Sequence, residues 1–292
     1  MYSEISANKR KTWFIMFGFI AIIGLLGWIV SNIYGSPSYL YLAFIVGGVY
    51  ALIQYFMAGK LALSLNGAHE VTKREQPRLY RTVENLTIAN GMPMPKVYVI
   101  DDPAPNAFAT GRDPDHAVVC ATTGLLDMMT DTELEGVMAH ELGHVKNYDI
   151  RVMMIVFGLV SAIGLIADII LHMFWWGGDD RERSPNPVFI ALGIAAAILA
   201  PLAASLVQLA VSRRREFLAD STGAMTTRYP EGLASALEKI AAHGSVMRKQ
   251  NTATAHLFFA NPLKGKGISN LFSTHPPVDE RIARLRAMGT KV

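Results

Sequence analysis

His140 and His144 stand four residues apart, with Glu141 directly after the first, in the run from Thr130 to Asp149. On a helix that spacing puts both imidazoles on one face, one turn apart, where they can reach a single tetrahedral metal ion. Glu141 can then act on a water at that ion without ligating it, the arrangement zinc hydrolases use. The surroundings predict a helix. Thr130 followed three residues later by Glu133 is a capping-box start, and Leu134, Val137 and Met138 supply an apolar stripe.

A catalytic zinc takes three protein ligands and keeps one position open. His69, His116, His243, His256 and His275 fall on polar stretches on the same side of the topology as His140, as do many acids. Glu216 stands out because it follows the last apolar run, and Asp220 lies one helical turn on. Glu216 can ligate while Asp220 accepts a hydrogen bond from a ligand histidine and fixes its tautomer.

Much of the chain around these residues is apolar. Half of the 292 residues are hydrophobic, more than a soluble chain of this length needs. Four apolar runs read as membrane spans: about 13–34, 39–57, 152–176 and 188–211. The first is too long for a signal-peptide core and ends without a small-residue cleavage site. Residues 1–57 form one hairpin and 151–211 a second. Residues 58–150 and 212–292 are two mixed-polarity regions that together would make a catalytic domain. Lys9, Arg10, Lys11 and Lys60 flank the first hairpin, and Arg151 with Arg213, Arg214 and Arg215 outnumber Arg181 and Arg183 around the second. The positive-inside rule puts the site in the cytoplasm. The net charge of +3 is mild and its cations cluster beside the spans, which speaks against nucleic acid. A single cysteine, Cys120, excludes an internal disulfide framework, and its apolar neighbours suit a strand residue better than a nucleophile. Asp168 and His172, inside the third span, read as a paired polar contact near the outer interface.

Within the polar regions the spacing predicts helices over 76–89, 230–243 and 278–288. Strands are predicted over 96–100, 106–111 and 117–121. Residues 251–270 read as a loop or partly mobile segment. The fold class is therefore mostly α: four transmembrane helices with a cytoplasmic, zincin-like α+β domain carrying a small sheet.

Four motifs together, Asn106-Ala107-Phe108-Ala109, His140-Glu141-Leu142-Gly143-His144 ending at Asp149, Arg215-Glu216 to Asp220, and Thr274-His275-Pro276-Pro277, resemble the HtpX family of bacterial membrane zinc metalloproteases, relatives of the CAAX prenyl endopeptidases. The resemblance covers nearly the whole chain. It implies one Zn2+ held by His140, His144 and Glu216, with Glu141 as catalytic base and Asp220 behind the ligands. It also implies substrate-facing roles for Asn106, His275 and Arg281, His275 as donor to the oxyanion. Under that reading Asn106 to Gly111 offer an edge strand to an extended peptide. The family implies residence in the bacterial inner membrane, substrates among damaged membrane proteins or unfolded polypeptides, stress-linked quality control, and a functional link to the membrane-bound ATP-dependent protease. Two rivals fit less well. A non-catalytic zinc scaffold that captures substrates for another protease has no need of Glu141, and a transporter would show a matched pair of broken helices.

Overall fold

A computed structural model describes residues 2–161, 213–249, 251, 254–263 and 276–289. The chain opens with two long antiparallel helices, α1 (Tyr2–Tyr34) and α2 (Ser38–Leu65), joined by a turn at Gly35. They pack closely: a Cβ added to Gly27 would lie 2.5 Å from that of Ala43. Small residues at a helix crossing are how apolar helices associate where water supplies no drive. Trp13, Phe14, Phe17, Leu42, Ile45 and Leu52 are among the many large hydrophobic side chains these two helices expose. Elsewhere among the described residues the exposed large hydrophobics are only Ile88, Met94, Met225, Tyr229 and Val246. Among the described residues α2 is long and apolar enough to cross a membrane.

The lower turns of α2 enter the folded domain, where Ala58, Ala62 and Leu63 are buried. A four-stranded mixed sheet follows, in the order β1 (Ala68–Glu70), β2 (Lys96–Ile100), β4 (Ala117–Thr122), β3 (Ala107–Gly111). β2 and β4 run parallel, and the outer pairs are antiparallel. Helix α3 (Pro77–Asn90), which begins with proline at its first position and ends on left-handed Gly91, connects β1 to β2. Alternation along the strands sorts their side chains between two cores. Val97, Val99, Ala107, Ala109 and Val119 face α3, the metal-motif helix α5 (Asp131–Lys146) and a later helix. Tyr98, Ile100, Phe108 and Cys120 face the base of α2 and Met153, Met154 and Phe157. The sheet thus separates the core packed on α3 and α5 from the one at the base of α2. Burial pushes the Cys120 thiol well above its ordinary pKa, with the Glu141 charge adding to it, which suits a packing residue.

Short helix α4 (Thr123–Met128) is capped by Thr122 and leads into α5, whose capping box forms as the sequence predicts. A two-residue turn then starts helix α6, described over 149–161. It runs beside α2, with the Tyr50 hydroxyl donating to the Gly158 carbonyl at 3.1 Å. The remaining helices are α7 (Arg213–Thr227), α8 (Pro230–His243) and α9 (Val278–Gly289). The predicted third span is described only to 161. The fourth span, Asp168, His172 and His275 lie outside the described residues.

Candidate metal centre

Two helices carry the three expected ligands and must lie very close for them to meet. α5 supplies His140 and His144; α7, packed along it, supplies Glu216 and, one turn on, Asp220. Glycines make the approach possible. A Cβ at Gly143 would come within 3.3 Å of Ala219 backbone atoms, and one at Gly223 within 3.0 Å of the His140 nitrogen. At this crossing the two Nε2 atoms of His140 and His144 stand 3.1 Å apart. Glu216 brings Oε1 to 3.5 Å from His144 Nε2 and Oε2 to 3.8 Å from His140 Nε2. All three residues are buried, and each offers a ligand atom within 4.8 Å of the others.

The outward nitrogen of each ring is pinned by its own carboxylate. His140 Nδ1 lies 2.8 Å from Asp220 Oδ1, and His144 Nδ1 lies 3.0 Å from Asp149 Oδ2. A carboxylate on Nδ1 fixes the tautomer and turns the Nε2 lone pair inward, as second partners of metal-bound histidines do. Two inward imidazole nitrogens and one carboxylate form the donor set of a zinc-type divalent cation, and the residues fit such an ion. The two rings differ electrically. Burial lowers the pKa of His140 to about 4, helped by the Arg281 and His144 charges against the pull of Asp220. Burial would lower His144 too, but its bond to Asp149 and the Glu216, Asp149 and Glu141 charges outweigh that and raise it to about 9. Glu141, the next residue on α5, is itself buried and lines the small cavity at the ligands.

Arg281 of α9 closes the site from behind. Its Nη2 donates to Asp220 Oδ1 at 2.7 Å and its Nε to Oδ2 at 2.9 Å, while Nη1 lies 3.8 Å from Glu216. Burial raises the cost of the Asp220 charge, but the Arg281 guanidinium and His140 hold that carboxyl below its ordinary range. Arg281 is 1% exposed, and its guanidinium lies between two buried acids.

Asn106 is likewise engaged within the chain. Its amide donates to the Ala260 carbonyl at 2.7 Å and accepts from the Ala260 N–H at 3.0 Å, gripping the chain's own backbone. Next to it the Phe259 N–H donates to the Ala107 carbonyl at 2.8 Å, so a segment of this chain lies on the free edge of β3. Ala107 and Ala109 point into the domain core, and Phe108 points the other way, against Phe258 with centroids 5.0 Å apart. The Phe259 ring meets His140 edge-on at 5.1 Å. What reads as loop over 251–270 is therefore packed where it is described, with a 3-10 turn at Ala255–Leu257 and buried Leu257, Phe258 and Phe259. Between this segment, Ala109 and the ligands remains a cavity of about 10 Å3, room for roughly one water.

Sequence reasoning passes over Asp149 as a ligand partner. Its signal is faint: a buried acid five residues past His144 is in reach only because Tyr148, at φ 61, turns the chain back sharply. Segment 255–260 is missed because its apolar residues follow neither helical nor strand periodicity.

Known proteins match this arrangement. The profile of peptidase family M48 covers residues 73–289. A protein described as "Protease HtpX homolog" from Tropheryma whipplei (strain TW08/27) is 53% identical over 291 residues, covering 100% of this chain and 99% of its own. One with the same description from Streptococcus gordonii is 42% identical over 300 residues, covering 99% and 100%. The crystal structure of S. mikatae Ste24p superposes with a TM-score of 0.53 at 19% identity, over 98% of this chain and 67% of that one, and so shares the fold. With a family profile running from just after β1 to the end of α9 and relatives matched end to end, the chain belongs to peptidase family M48 and is a metalloprotease.

Proposed function

We propose that this metalloprotease is a zinc endopeptidase of the bacterial inner membrane. It cuts unfolded or damaged membrane proteins at the cytoplasmic face, with Glu141 as general base. The observation that carries the reading is the convergence of His140 Nε2, His144 Nε2 and the Glu216 carboxylate, each imidazole braced by its own acid, with Glu141 one residue from the first ligand. When bound, zinc would supply Lewis-acid polarisation of the scissile carbonyl and acidify the attacking water. The chain's own part is proton handling. Glu141 would take a proton from that water and deliver it to the departing amine. Burial of the whole cluster strengthens these charge interactions relative to water.

The membrane setting rests on the apolar exposure of α1 and α2, on α6 heading alongside α2, and on the positive flanks of all four apolar runs. Under this topology four spans cross the bilayer and both polar regions stay in the cytoplasm. The site would sit beside the membrane surface, within reach of exposed loops of damaged membrane proteins. That position suits a role in stress-linked quality control beside the membrane-bound ATP-dependent protease. An extended peptide read by the β3 edge must take the place that residues 258–260 hold.

Glu141→Gln tests the chemistry. The variant should bind zinc as the wild type does and lose cleavage of unfolded casein by a factor of at least 10^2, the lower end of general-base contributions. Undiminished cleavage would refute the role of Glu141.

A further inference from the structure

Helix α1 is longer than a membrane requires. Its 33 residues span about 50 Å at 1.5 Å per residue, against the roughly 30 Å of a bilayer core. The apolar run starts near Trp13, so the first turns project beyond it. They are not loose in solvent: Asn8 is 1% exposed and Thr12 4%.

Asn8 is seated against the turn that follows α5. Its amide donates to the backbone carbonyl of Asn147 at 2.9 Å and to Asp149 Oδ1 at 2.7 Å. The other oxygen of that carboxylate is the one 3.0 Å from His144 Nδ1. One side chain of the first helix thus stands two hydrogen bonds from a metal ligand 136 positions later in the sequence. The turn between them is held on both sides. Tyr148, in the left-handed region at φ 61, carries the Lys9 ammonium 4.5 Å from its ring centroid. A bulky side chain at positive φ is an unfavoured conformation that its surroundings must impose. Asn8 and Lys9 grip residues 147 to 149, the places where that reversal would relax.

We propose that Asn8 is a positioning residue of the metal centre: it orients Asp149, and Asp149 orients His144. The inference rests on the reading of the site as a zinc centre. A carboxylate with fixed partners on both oxygens cannot rotate. Without Asn8, Oδ1 keeps the Arg215 guanidinium at 3.5 Å, which would draw the carboxylate away from His144. The first helix is then part of the scaffold of the site as well as an anchor.

The test uses full-length protein in detergent, with zinc affinity measured by competition against a chromophoric chelator. The melting point of each metal-free variant is recorded alongside. Asn8→Ala should bind zinc about tenfold more weakly, the low end of the cost of losing the partner Asp149 that it orients on the ligand. Asn8→Asp should lose more, because it sets two carboxylates face to face. Adding Asp149→Asn to Asn8→Asp exchanges donor and acceptor, and should recover affinity over Asn8→Asp alone. Thr12→Val, one turn along the same buried face, should stay within twofold of wild type. Asn8→Ala and Asn8→Asp both within twofold would overturn the proposal. So would equal losses in Thr12→Val, or no recovery in the double variant, since a merely structural residue would behave that way. A wild type that takes up no zinc would instead bring down the reading of the site, and this inference with it.

Discussion

Replacing Gly223 by alanine isolates how closely the two ligand helices must approach. The added Cβ would lie 3.0 Å from the His140 nitrogen, 3.2 Å from the Ala139 carbonyl carbon and 3.3 Å from the His140 Cα. All three are backbone atoms and cannot rotate aside. Ordinary contact begins near 3.4 Å, so α7 must retreat by about 0.4 Å. Glu216 lies seven residues earlier, two turns along the same face, and the retreat carries its carboxylate with it. Metal–ligand distances tolerate only about 0.2 Å. Metal-free protein can relieve the clash by letting the helices part, whereas the metal-loaded state needs them together. An overpacking cost of about 1–3 kcal/mol would therefore appear mainly as lost zinc affinity, roughly 5- to 150-fold with tenfold as the central value. Metal-free stability should change less, because alanine returns up to about 1 kcal/mol of helix propensity. Chelator competition in a Glu141→Gln background, where no cleavage intervenes, reads the affinity, and Gly289→Ala, with open space around its Cβ, serves as control. Zinc affinity within twofold of that control would refute the close-approach argument.

Two further perturbations separate structural from substrate roles. Glu133 accepts from the Thr130 N–H, Ser235 and Lys239 and is 4% exposed. Burial raises its pKa, but these bonds outweigh it and bring the carboxyl to about 2, below its usual 4.5. A depressed carboxyl pKa stabilises the fold above the unfolded value and loses that contribution as pH falls through the folded one. Glu133→Gln should thus cost metal-free protein about 2 kcal/mol at pH 7, discounted from about 3 because Lys239 is partly exposed. The deficit in melting point should shrink between pH 4.5 and 2, and a deficit independent of pH would contradict the assignment. Arg281→Met strands the buried Asp220 charge and should destabilise by about 3–5 kcal/mol, read as a large fall in melting point. An unchanged melting point with a raised KM would instead favour a substrate-facing role for Arg281.

The local grammar of this protein is written in its sequence. The capping box at Thr130 and Glu133 starts α5 where residue types place it, helices open at Pro230 and Val278 as predicted, and α3 opens at Pro77, one residue after its predicted start. The strand at 96–100 and the register of His140, Glu141 and His144 follow from side-chain period alone. These are nearest-neighbour properties, governed by dihedral preference and by 3.6- and 2-residue repeats. Glu216 and Asp220 were legible because chain order brings them back after the last apolar run.

Which side chains face one another is set by long-range packing. Asn106 and Arg281 carry groups that suit a peptide equally well, yet folding commits one to Ala260 and the other to Asp220. Nothing local to Asn8 predicts that it meets Asp149, because that contact is made by how α1 lies against a left-handed turn. The occupied edge of β3 is likewise invisible to periodicity, since residues 255–260 gain their order from the strand and ligands they cover. Residue types and their spacing mark which residues can bind a metal and on which helices they ride. The packing of α5 against α7, to within a few tenths of an ångström at Gly143 and Gly223, decided that they form one site, because ligand convergence depends on distances between helices that no local rule encodes.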